Sequence, residues 1–380
     1  MNTLIFAQQR EFYIGTMALP TGNAETETSR GIYRGLFNQQ TGEIQICGLA
    51  AESLGASYVV KHPTLNYYYS VSSVRVNGQN SVDAWEKQAD GTLKKINSQA
   101  SGGQGPCHLA LHPSGKSLFV ANYSGGQAAM IALTPSGALG EVVGIDAHSG
   151  FGPNTVRQEK AHAHWVGVDP SGERVFCCDL GCDKVFCSRL NDLQTGWEAN
   201  QKFPYTQVSS GSGCRHAVFS SDGKYLFVLN ELSATIDAFL YDVQSGSLTS
   251  VQSDATLPPD FRGTNKAAAI CLLPAAQNEA KCDFVYCSNR GANLITVFKV
   301  NKGEIRGDKE ICGTVLEPIQ YISSGGNAPR FIGLSPNGKF LLSCNKKTSN
   351  IVVYAINSQT GKLCETGFEA KIGWPVSIAW

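Results

Sequence analysis

The amino-acid sequence predicts an all-β protein with the fold of a seven-bladed β-propeller, in which one blade is built from both ends of the chain. Three observations predict this fold: a hairpin motif that recurs along the chain, a nearly constant spacing between its copies, and terminal segments that complement each other. The clearest copy spans residues 106–126, where alternating apolar residues flank the turn Ser114-Gly115-Lys116. Such alternation on both sides of a glycine-containing turn is typical of a β-hairpin.

The copies of this hairpin recur at the spacing of propeller blades. Strong copies occupy residues 164–180, 215–231 and 330–346, and weaker copies occupy residues 57–72 and 267–290. Their turns are 50 to 62 residues apart, as measured between the markers Pro63, Pro113, Pro170, Ser221, Pro274 and Pro336. A repeat of about 50 residues made of short strands has the size of one four-stranded blade.

The two chain ends are predicted to form the seventh blade together. Pro375–Trp380 resembles the first strand of a repeat, whereas Phe12–Thr16 and Gly31–Phe37 resemble a second and a third strand. A ring closed in this way has no exposed sheet edge. Six internal repeats and one composite repeat give seven blades, and we expect residues 1–380 to form a single domain.

Composition restricts the partners of the protein. The 31 basic and 31 acidic residues give no net charge, which argues against a nucleic-acid binder driven by bulk charge. No apolar run approaches the roughly 20 residues of a membrane-spanning helix. The 13 cysteines lie largely within apolar strands, which favours free thiols in a reduced, cytoplasmic protein. Cys177, Cys178, Cys182 and Cys187 lack the paired spacing of zinc sites, so we expect strand packing rather than metal binding.

The innermost strand of each blade supplies the first group of candidate site residues. Propellers usually bind ligands at one mouth of the central channel, which these strands line. The position six residues before each turn marker is equivalent around the ring and is occupied by Ser57, Cys107, His164, Arg215, Ala268 and Arg330. The following position contributes His108 and His216. We therefore expect these basic side chains to gather at one channel mouth.

The end of the second strand should return beside these positions. It carries the pairs Asn122-Tyr123, Asp179-Leu180, Asn230-Glu231, Asn289-Arg290 and Asn345-Lys346. The Asn and Asp residues are expected to fix turns, as are His62 and His112. Glu231, Arg290 and Lys346 instead complete a cationic pocket with one carboxylate, which predicts an anion-binding site.

A non-repetitive connection between residues 150 and 164 adds further candidates. Long connections on a rigid scaffold often carry function. This one contains Arg157, His162 and His164, and strand alternation places the two histidines on one face. Because no neighbouring carboxylate completes a metal-ligand set, acid–base chemistry or substrate contact is favoured over metal binding.

These residues form motifs that resemble the propeller-type lactonase family, which includes cycloisomerase-type 6-phosphogluconolactonases and the fungal carboxy-cis,cis-muconate cyclase. In chain order, the motifs are Arg157-Gln158, His162-Ala163-His164, Asp179-Leu180-Gly181, Arg215-His216, Asn230-Glu231-Leu232, Ser288-Asn289-Arg290-Gly291 and Pro329-Arg330-Phe331. The resemblance spans residues 12–380 and implies a seven-bladed propeller. Cys182, where Thr is more usual, and Asn345-Lys346-Lys347, where Asn-Gln is common, depart from the family pattern.

The resemblance implies an active-site set of His164 (or His162), Arg215, Glu231 and Arg290. The implied reaction is hydrolysis of a sugar lactone, with 6-phosphogluconolactone of the pentose phosphate pathway as the leading substrate. His164 is expected to be the general base, because Glu231 among arginines should stay ionised and orient His164 or the substrate. Arg215 and Arg290 suit the oxyanion and a carboxylate.

Arg330 and Lys346 are expected to hold the phosphate of such a substrate. The remaining predicted contacts to this small anionic molecule are His162, His108, His216 and Arg157, and no metal or organic cofactor is required. Two alternatives stay open: a muconate-type lactonising cycloisomerase that uses the same arginines, and a non-catalytic interaction platform. The sequence leaves the oligomeric state open.

Overall fold

The computed structural model describes residues 9–17, 29–191, 196–301, 304–306, 310–312 and 314–380. Their strands form seven antiparallel sheets, arranged as blades around a ring, and one additional two-stranded hairpin. The innermost strands of neighbouring blades contact each other in cyclic order, and the last contacts the first. These strands line a central channel, and the predicted seven-bladed β-propeller is confirmed.

The first four blades have the following strands, given from the channel outward. Blade 1 consists of Pro375–Ala379, Gln9–Thr16, Gly31–Asn38 and Ile44–Glu52. Blade 2 consists of Val59–Lys61, Tyr67–Val76, Gln79–Lys87 and Leu93–Ala100. Blade 3 consists of Pro106–Leu111, Ser117–Asn122, Gln127–Leu133 and Leu139–Ala147. Blade 4 consists of Ala163–Val168, Arg174–Asp179, Lys184–Leu190 and an outer strand in two pieces, Trp197–Ala199 and Tyr205–Gln207.

The remaining three blades follow the same order. Blade 5 consists of Cys214–Phe219, Tyr225–Asn230, Thr235–Asp242 and Ser247–Ala255. Blade 6 consists of Lys266–Leu273, Phe284–Arg290, Leu294–Val300 and Leu316–Ser323. Blade 7 consists of Pro329–Leu334, Phe340–Asn345, Asn350–Ile356 and Leu363–Lys371. Outside the blades lie the hairpin Glu304–Arg306 and Glu310–Cys312 and the 3-10 helix Ala275–Gln277.

Blade 1 joins the two ends of the chain, as the sequence predicted. Its innermost strand is antiparallel to the second strand, with Ala379 opposite Tyr13 and Ile378 opposite Ile14. The ring of Trp380 lies 5.1 Å from that of Phe12 and 5.3 Å from that of Phe37. The last residues of the chain therefore complete a hydrophobic cluster that continues into blade 7.

Each blade buries its faces against its neighbours, so the core consists of layers between blades. One layer joins the apolar strands of blades 2 and 3, and others join blades 4 and 5 and blades 6 and 7. The predicted hairpin turns have the expected geometry, since Gly115, Gly172, Gly223 and Gly338 all have φ between +68° and +78°. Glycine adopts this left-handed conformation without steric cost, which explains its place in the repeat.

Tyrosine hydroxyls connect the second strand of one blade to the outer turn of the next. Tyr13 donates to the carbonyl of Gly91, Tyr69 donates to that of Gly137, and Tyr286 donates to that of Gly361, each at 2.9 Å. Through each of these bonds, the outer turn of one blade accepts a hydrogen bond from the preceding blade, which fixes the register between the two blades.

His62 and His112 also connect blades, which confirms their predicted structural role. The Nε2 of His62 lies 3.1 Å from the Gly115 carbonyl oxygen, and the Nε2 of His112 lies 2.9 Å from that of Gly172. The Nδ1 of His62 accepts the backbone N–H of Leu65, and the Nδ1 of His112 accepts that of Ser114, so each ring also bonds within its own turn. Both rings thus tie one hairpin turn to the next around the ring.

Three of the four clustered cysteines pack between strands, as expected, whereas the fourth, Cys182, lies buried in the turn after the second strand of blade 4. Cys177 belongs to the apolar layer between blades 3 and 4, whereas Cys178, Cys187 and Cys214 belong to the layer between blades 4 and 5. All twelve cysteines whose side chains the structure describes are free thiols. No helix within the described ranges is long and apolar enough to cross a membrane.

Candidate active site

β-Bulges mark the predicted site positions on the innermost strands. In blade 4, Ala163 pairs with Asp179 and Trp165 pairs with Cys178, so that His164 between them has no partner in the ladder. The same interruption leaves one residue unpaired in three other blades: Cys107, Arg215 and Arg330. A bulge redirects side chains and is common beside active sites. The repeat alignment therefore identified the positions at which the strands turn side chains toward the channel.

Three histidines meet in the channel. The His216 ring lies 5.2 Å from that of His108 and 5.4 Å from that of His164, and all three side chains are buried. Burial, together with the positive charge of Arg215, lowers the pKa of each ring, to about 3 for His108 and well below 6.5 for His164 and His216. These imidazoles are consequently neutral at neutral pH. The Nδ1 of His164 is buried without a hydrogen-bond partner in the described chain.

Glu231 organises the cations of the channel mouth. Its Oε2 lies 2.9 Å from Nε of Arg215 and 2.7 Å from a terminal nitrogen of Arg290, while its Oε1 lies 2.7 Å from Arg157. The carboxylate is 2% exposed, so these ion pairs are shielded from water. Three guanidinium groups around one carboxylate leave a net positive charge, which favours binding of an anion.

The charges of this cluster shift the pKa values of its members. Burial alone raises the pKa of Glu231, but Arg290, Arg215, His164 and Arg157 together lower it far below its ordinary value. Burial and the neighbouring Arg290 and Arg330 lower the pKa of Arg215 to about 9, which still leaves the guanidinium charged at neutral pH. Glu231 is thus permanently ionised in the physiological range and cannot act as a proton acceptor there.

The three arginines paired with Glu231 lie at different depths. Arg215 is almost fully buried and also donates to the backbone carbonyl of Ala268. Arg290 is 17% exposed and Arg157 is 24% exposed, so these two guanidinium groups are more accessible to a ligand. Glu231 was expected to orient either His164 or the substrate. In the described chain, Glu231 bonds to the arginines and forms no hydrogen bond with His164.

Arg157 is held over the channel by the connection before blade 4. Gln158, which is fully buried, donates to the carbonyl of Leu180 at 2.9 Å and to Asp183 at 2.8 Å. The Asn154 side chain accepts the backbone N–H of Arg157 at 3.2 Å. These bonds fix the segment to the hairpin of blade 4. The long connection before blade 4, which was predicted to carry function, therefore places the Arg157 guanidinium beside Glu231.

His162 and His164 both face Tyr123 but have different partners. His162 stacks on the Tyr123 ring at 4.4 Å, and its Nδ1 lies 2.9 Å from the Tyr123 carbonyl oxygen. Its Nε2 lies 3.0 Å from Glu159. His164 meets the same tyrosine edge-on at 5.5 Å. Since both nitrogens of His162 are engaged, His164 is the better placed of the two for proton transfer.

A cationic pocket with a volume of about 470 Å³ opens between blades 6 and 7. It is lined by Lys266, Arg290, Arg330, Lys346 and Lys347 together with the polar residues Thr264, Asn265, Asn293 and Asn327. Arg330 forms no hydrogen bond or ion pair with another described residue, and the buried Nε of Arg290 has no partner there either. No carboxylate is among the described residues that line the pocket, so the N–H groups of Arg330 and of the three lysines are available to an anion from solution.

Lys346 lies at the edge of this pocket. Its Nζ is 4.4 Å from the centre of the Trp374 ring, which is within the range of a cation–π contact. Burial and the charges of Arg330, Arg290 and Lys347 lower the pKa of Lys346. The crowding of like charges would be relieved by a bound anion.

Four of the five strand-end residues predicted to fix turns bond to the backbone, whereas Asn230 donates to the side chains of Thr235 and Asp237. Asn122 donates to the Ser101 carbonyl, Asn345 donates to that of Ser324, and Asn289 donates to that of Thr256. Asp179 accepts the backbone N–H of His162 at 2.7 Å, and its other oxygen lies 2.8 Å from Nδ1 of His148. These contacts hold the strand ends that present the neighbouring site residues.

Sequence reasoning missed three residues of the site. Lys266 and Lys347 line the cationic pocket, and Tyr123 accepts a hydrogen bond from Arg157 at 3.3 Å. A signal for Tyr123 existed, because it occupies the same repeat position as Glu231 and Lys346. It lacked the charge by which the other residues of that position were selected.

Comparison with known proteins identifies the family to which this architecture belongs. A family model described as "Lactonase, 7-bladed beta-propeller" matches residues 11–380. The chain belongs to this lactonase family. The resemblance expected from the motifs is thereby confirmed.

Members of the family and solved structures cover nearly the whole chain. This chain is 29% identical over 351 residues to the 6-phosphogluconolactonase of Bacillus subtilis (strain 168), and the matched region covers 92% of this chain and 94% of the relative. A protein from Lactobacillus plantarum has a TM-score of 0.83 at 29% identity, covering 97% of this chain and 98% of its own. The periplasmic gluconolactonase of Pseudomonas aeruginosa has a TM-score of 0.81 at 25% identity, covering 97% and 98%.

Within the lactonase family fold, the candidate site of this chain has two connected parts. The first is the channel cluster around Glu231, with His164 and Tyr123 beside it. The second is the cationic pocket between blades 6 and 7. Arg290 belongs to both, since it pairs with Glu231 and lines the pocket. A ligand could therefore place one end against the channel cluster and an anionic group in the pocket.

Proposed function

We propose that this protein hydrolyses a sugar lactone that carries an anionic group, with 6-phosphogluconolactone as its leading substrate and 6-phosphogluconate as the product. The observation that carries this proposal is the pairing of a channel cluster suited to lactone chemistry with a pocket lined by five cations, of which only Arg290 forms an ion pair with another described residue. Family membership and a relative named 6-phosphogluconolactonase support the reaction class. The described free thiols agree with action in a reducing, cytoplasmic compartment.

His164 is the proposed general base. Its ring is neutral at neutral pH, and its Nδ1 has no partner in the described chain, so it can accept a proton. It would deprotonate the water that attacks the lactone carbonyl. The low pKa of His164 makes it a weak base in the empty site. A bound anion that neutralises the surrounding cations would raise that pKa and improve proton transfer.

Arg290 and Arg157 are the proposed partners of the developing oxyanion. Both guanidinium groups are partly exposed, and Glu231 fixes their positions. Prearranged charged donors stabilise a tetrahedral oxyanion without reorganising during the reaction. Arg215, buried behind Glu231 in the network of ion pairs, would contribute mainly by holding that carboxylate in place.

The cationic pocket is the proposed site of the substrate phosphate. Arg330 and Lys346 were expected to bind it, and Lys266 and Lys347 extend the same set. Guanidinium and ammonium groups bind phosphate oxygens by charge-assisted hydrogen bonds. Holding the phosphate at a fixed distance from the channel cluster would place the lactone carbonyl beside His164, which is the usual contribution of remote binding groups to catalysis.

The direct test is hydrolysis of 6-phosphogluconolactone at neutral pH, followed by proton release with the spontaneous rate subtracted. We expect turnover that persists in the presence of a chelator. His164→Ala should lower kcat by about 10²- to 10⁴-fold, the usual contribution of a general base. Retention of most activity by His164→Ala would refute the role of this residue. Absence of wild-type turnover would refute the proposed substrate.

A muconate-type cycloisomerase is the second candidate, because the three accessible guanidinium groups of Arg157, Arg290 and Arg330 could equally bind several carboxylates. Thermal unfolding distinguishes the two functions, since a ligand that binds only the folded state raises its stability. Stabilisation by 6-phosphogluconate and not by a tricarboxylate supports the lactonase. The reverse pattern supports the cycloisomerase.

A further inference from the structure

Tyr123 has a rigid position in the channel mouth. Its ring stacks on His162 with an interplanar angle of 12° and meets His164 edge-on. His162 is itself anchored, because its Nδ1 bonds to the backbone oxygen of Tyr123 and its Nε2 bonds to Glu159. Aromatic contacts on two sides of the Tyr123 ring, together with the hydrogen bond between His162 and the backbone carbonyl of Tyr123, leave this side chain little freedom to rotate.

The hydroxyl of Tyr123 is a donor without an acceptor. Arg157 donates to its oxygen at 3.3 Å, so the oxygen already accepts a bond from a cation. In the described chain, no oxygen or nitrogen accepts the hydroxyl hydrogen. A phenol can donate one bond while it accepts another. The unused hydrogen is therefore available to a ligand in the mouth.

The surroundings keep this proton on Tyr123 at neutral pH. Burial raises the pKa of Tyr123, and this effect outweighs the opposing hydrogen bond and charge of Arg157. If the proton were transferred to a ligand, the resulting phenolate would lie directly beside the Arg157 guanidinium. The same cation that accompanies the hydroxyl in the resting state would then stabilise the anion.

Lactone hydrolysis is accelerated by such a donor. After water has added to the carbonyl, the bond between the carbonyl carbon and the ring oxygen must break. The electron pair of this bond remains on the ring oxygen, which would leave as a strongly basic alkoxide. A positioned acid that protonates this oxygen accelerates the step. His164 is the proposed acceptor of the proton from water, and it lies beside Tyr123.

We propose that Tyr123 is a further catalytic residue, which donates its hydroxyl proton to the ring oxygen of the lactone as the carbon–oxygen bond breaks. The inference rests on the proposed lactonase function. Water supplies the new carbon–oxygen bond, and its proton passes to His164. The hydroxyl of the product receives the Tyr123 proton, and the phenolate recovers a proton from protonated His164 or from solvent. His162 acts as a positioning residue that holds the donor ring in place.

Tyr123→Phe tests the donor while keeping the ring and its stacking contacts. We expect kcat on 6-phosphogluconolactone to fall about 10²-fold or more, the lower range for general acid catalysis. Tyr205→Phe, on the outer strand of blade 4 and 44% exposed, is the matched control and should retain wild-type kcat. A Tyr123→Phe enzyme with kcat within about twofold of wild type would overturn the proposal.

Replacement of Tyr123 by 3,5-difluorotyrosine separates acid catalysis from a structural role. Fluorination lowers the phenol pKa without removing the hydroxyl. We expect the kcat of this variant to decline toward alkaline pH in a range where wild-type kcat stays constant. Identical pH profiles would show that the proton is not transferred. Because both experiments require wild-type turnover, its absence would instead refute the proposed function, and the two failures are distinguishable.

Discussion

Glu231 determines the charge distribution of the channel mouth at the scale of single residues. One buried carboxylate orders three guanidinium groups, and each of these groups comes from a different part of the chain: the connection before blade 4, blade 5 and blade 6. Removing the carboxylate would leave buried and mutually repelling cations. Glu231 therefore positions the arginines of the channel mouth, and this effect can be separated from proton transfer.

Glu231→Gln is expected to lower both stability and activity. Breaking a buried ion pair by removing one partner costs about 3–5 kcal/mol. We expect the free energy of unfolding to fall by this amount and inorganic phosphate to restore part of it, which urea titrations with and without phosphate would measure. Glu52→Gln is the control, because its partner Arg30 and its own carboxylate are both largely exposed. An equal decrease in the free energy of unfolding of Glu231→Gln and Glu52→Gln would contradict the role of Glu231 in holding the arginines.

The buried histidines should make the protein sensitive to acid. The folded-state pKa of His108 is about 3 against an ordinary value of 6.5, so the unfolded chain binds more protons between these values. The stabilising contribution of the neutral ring is complete above about pH 6.5 and is lost as the pH falls. For His108 alone, the free energy of unfolding is lower at pH 5 than at pH 8 by about 2 kcal/mol, and His164 and His216 act in the same direction.

Melting temperatures between pH 8 and pH 5 measure this effect. We expect Tm of the wild type to decrease steadily below pH 6.5. The decrease of Tm with pH should be less steep in His108→Gln, and this comparison of slopes does not depend on the Tm of the variant at pH 8. Parallel curves for the two proteins would show that His108 is not neutral in the folded state.

The sequence identified the charged residues of the site but not their pairing. Alignment of the repeats placed His164, Arg215 and Arg330 at equivalent positions, and the structure shows that these residues lie at bulges of the innermost strands. The ion pairs of Glu231 depend on side-chain conformations in blades 5 and 6 and in the connection before blade 4, which a repeat pattern does not contain. Tyr123 was missed because its role follows from contacts with Arg157 and His162 rather than from its charge.

At the scale of elements, the hairpin and its turns determine how blades fit together. The period-two pattern and the glycine turns predicted the strands correctly because the same local rules act in every repeat. The sequence did not indicate the bonds between the tyrosine of one blade and the glycine carbonyl of the next. These contacts join residues 68 to 78 positions apart and depend on the curvature of the ring.

Tyr286→Phe tests the contribution of one such bond. The phenol is fully buried and donates to the carbonyl of Gly361 at 2.9 Å, so the variant leaves a buried acceptor unpaired. We expect a loss of about 1–3 kcal/mol in the free energy of unfolding, measured by urea titration. Tyr205→Phe, whose phenol is exposed, should change it by less than about 0.5 kcal/mol. Equal effects would indicate that the bond between blades does not stabilise the fold.

At the scale of the whole molecule, closure of the ring depends on the last residues of the chain. The strand Pro375–Ala379 is buried throughout and provides the innermost strand of blade 1. Without it, blade 1 would lose its contact with the channel and the strands beside it would expose their edges. The composite blade was predictable from sequence because each end contains an incomplete repeat that the other completes.

Truncation after Gly373 should prevent cooperative folding. Trp380→Ala is the graded comparison: because Trp380 is only partly buried, loss of its contacts with Phe12 and Phe37 should cost less than the roughly 3–5 kcal/mol of a fully buried Trp and leave a folded protein. Circular dichroism and thermal unfolding would measure both. A truncated chain that melts cooperatively near the wild-type temperature would contradict the dependence of ring closure on this strand.

The measurement that tests the central claim most directly compares kcat/KM for gluconolactone with and without its 6-phosphate, in the wild type and in Arg330→Met. If the pocket between blades 6 and 7 binds the phosphate, the wild type should favour the phosphorylated lactone strongly. Arg330→Met should reduce this preference by at least about tenfold, which corresponds to about 1.4 kcal/mol, while activity on gluconolactone changes little. Equal kcat/KM values for the two lactones in the wild type, or an unchanged preference in Arg330→Met, would contradict the claim.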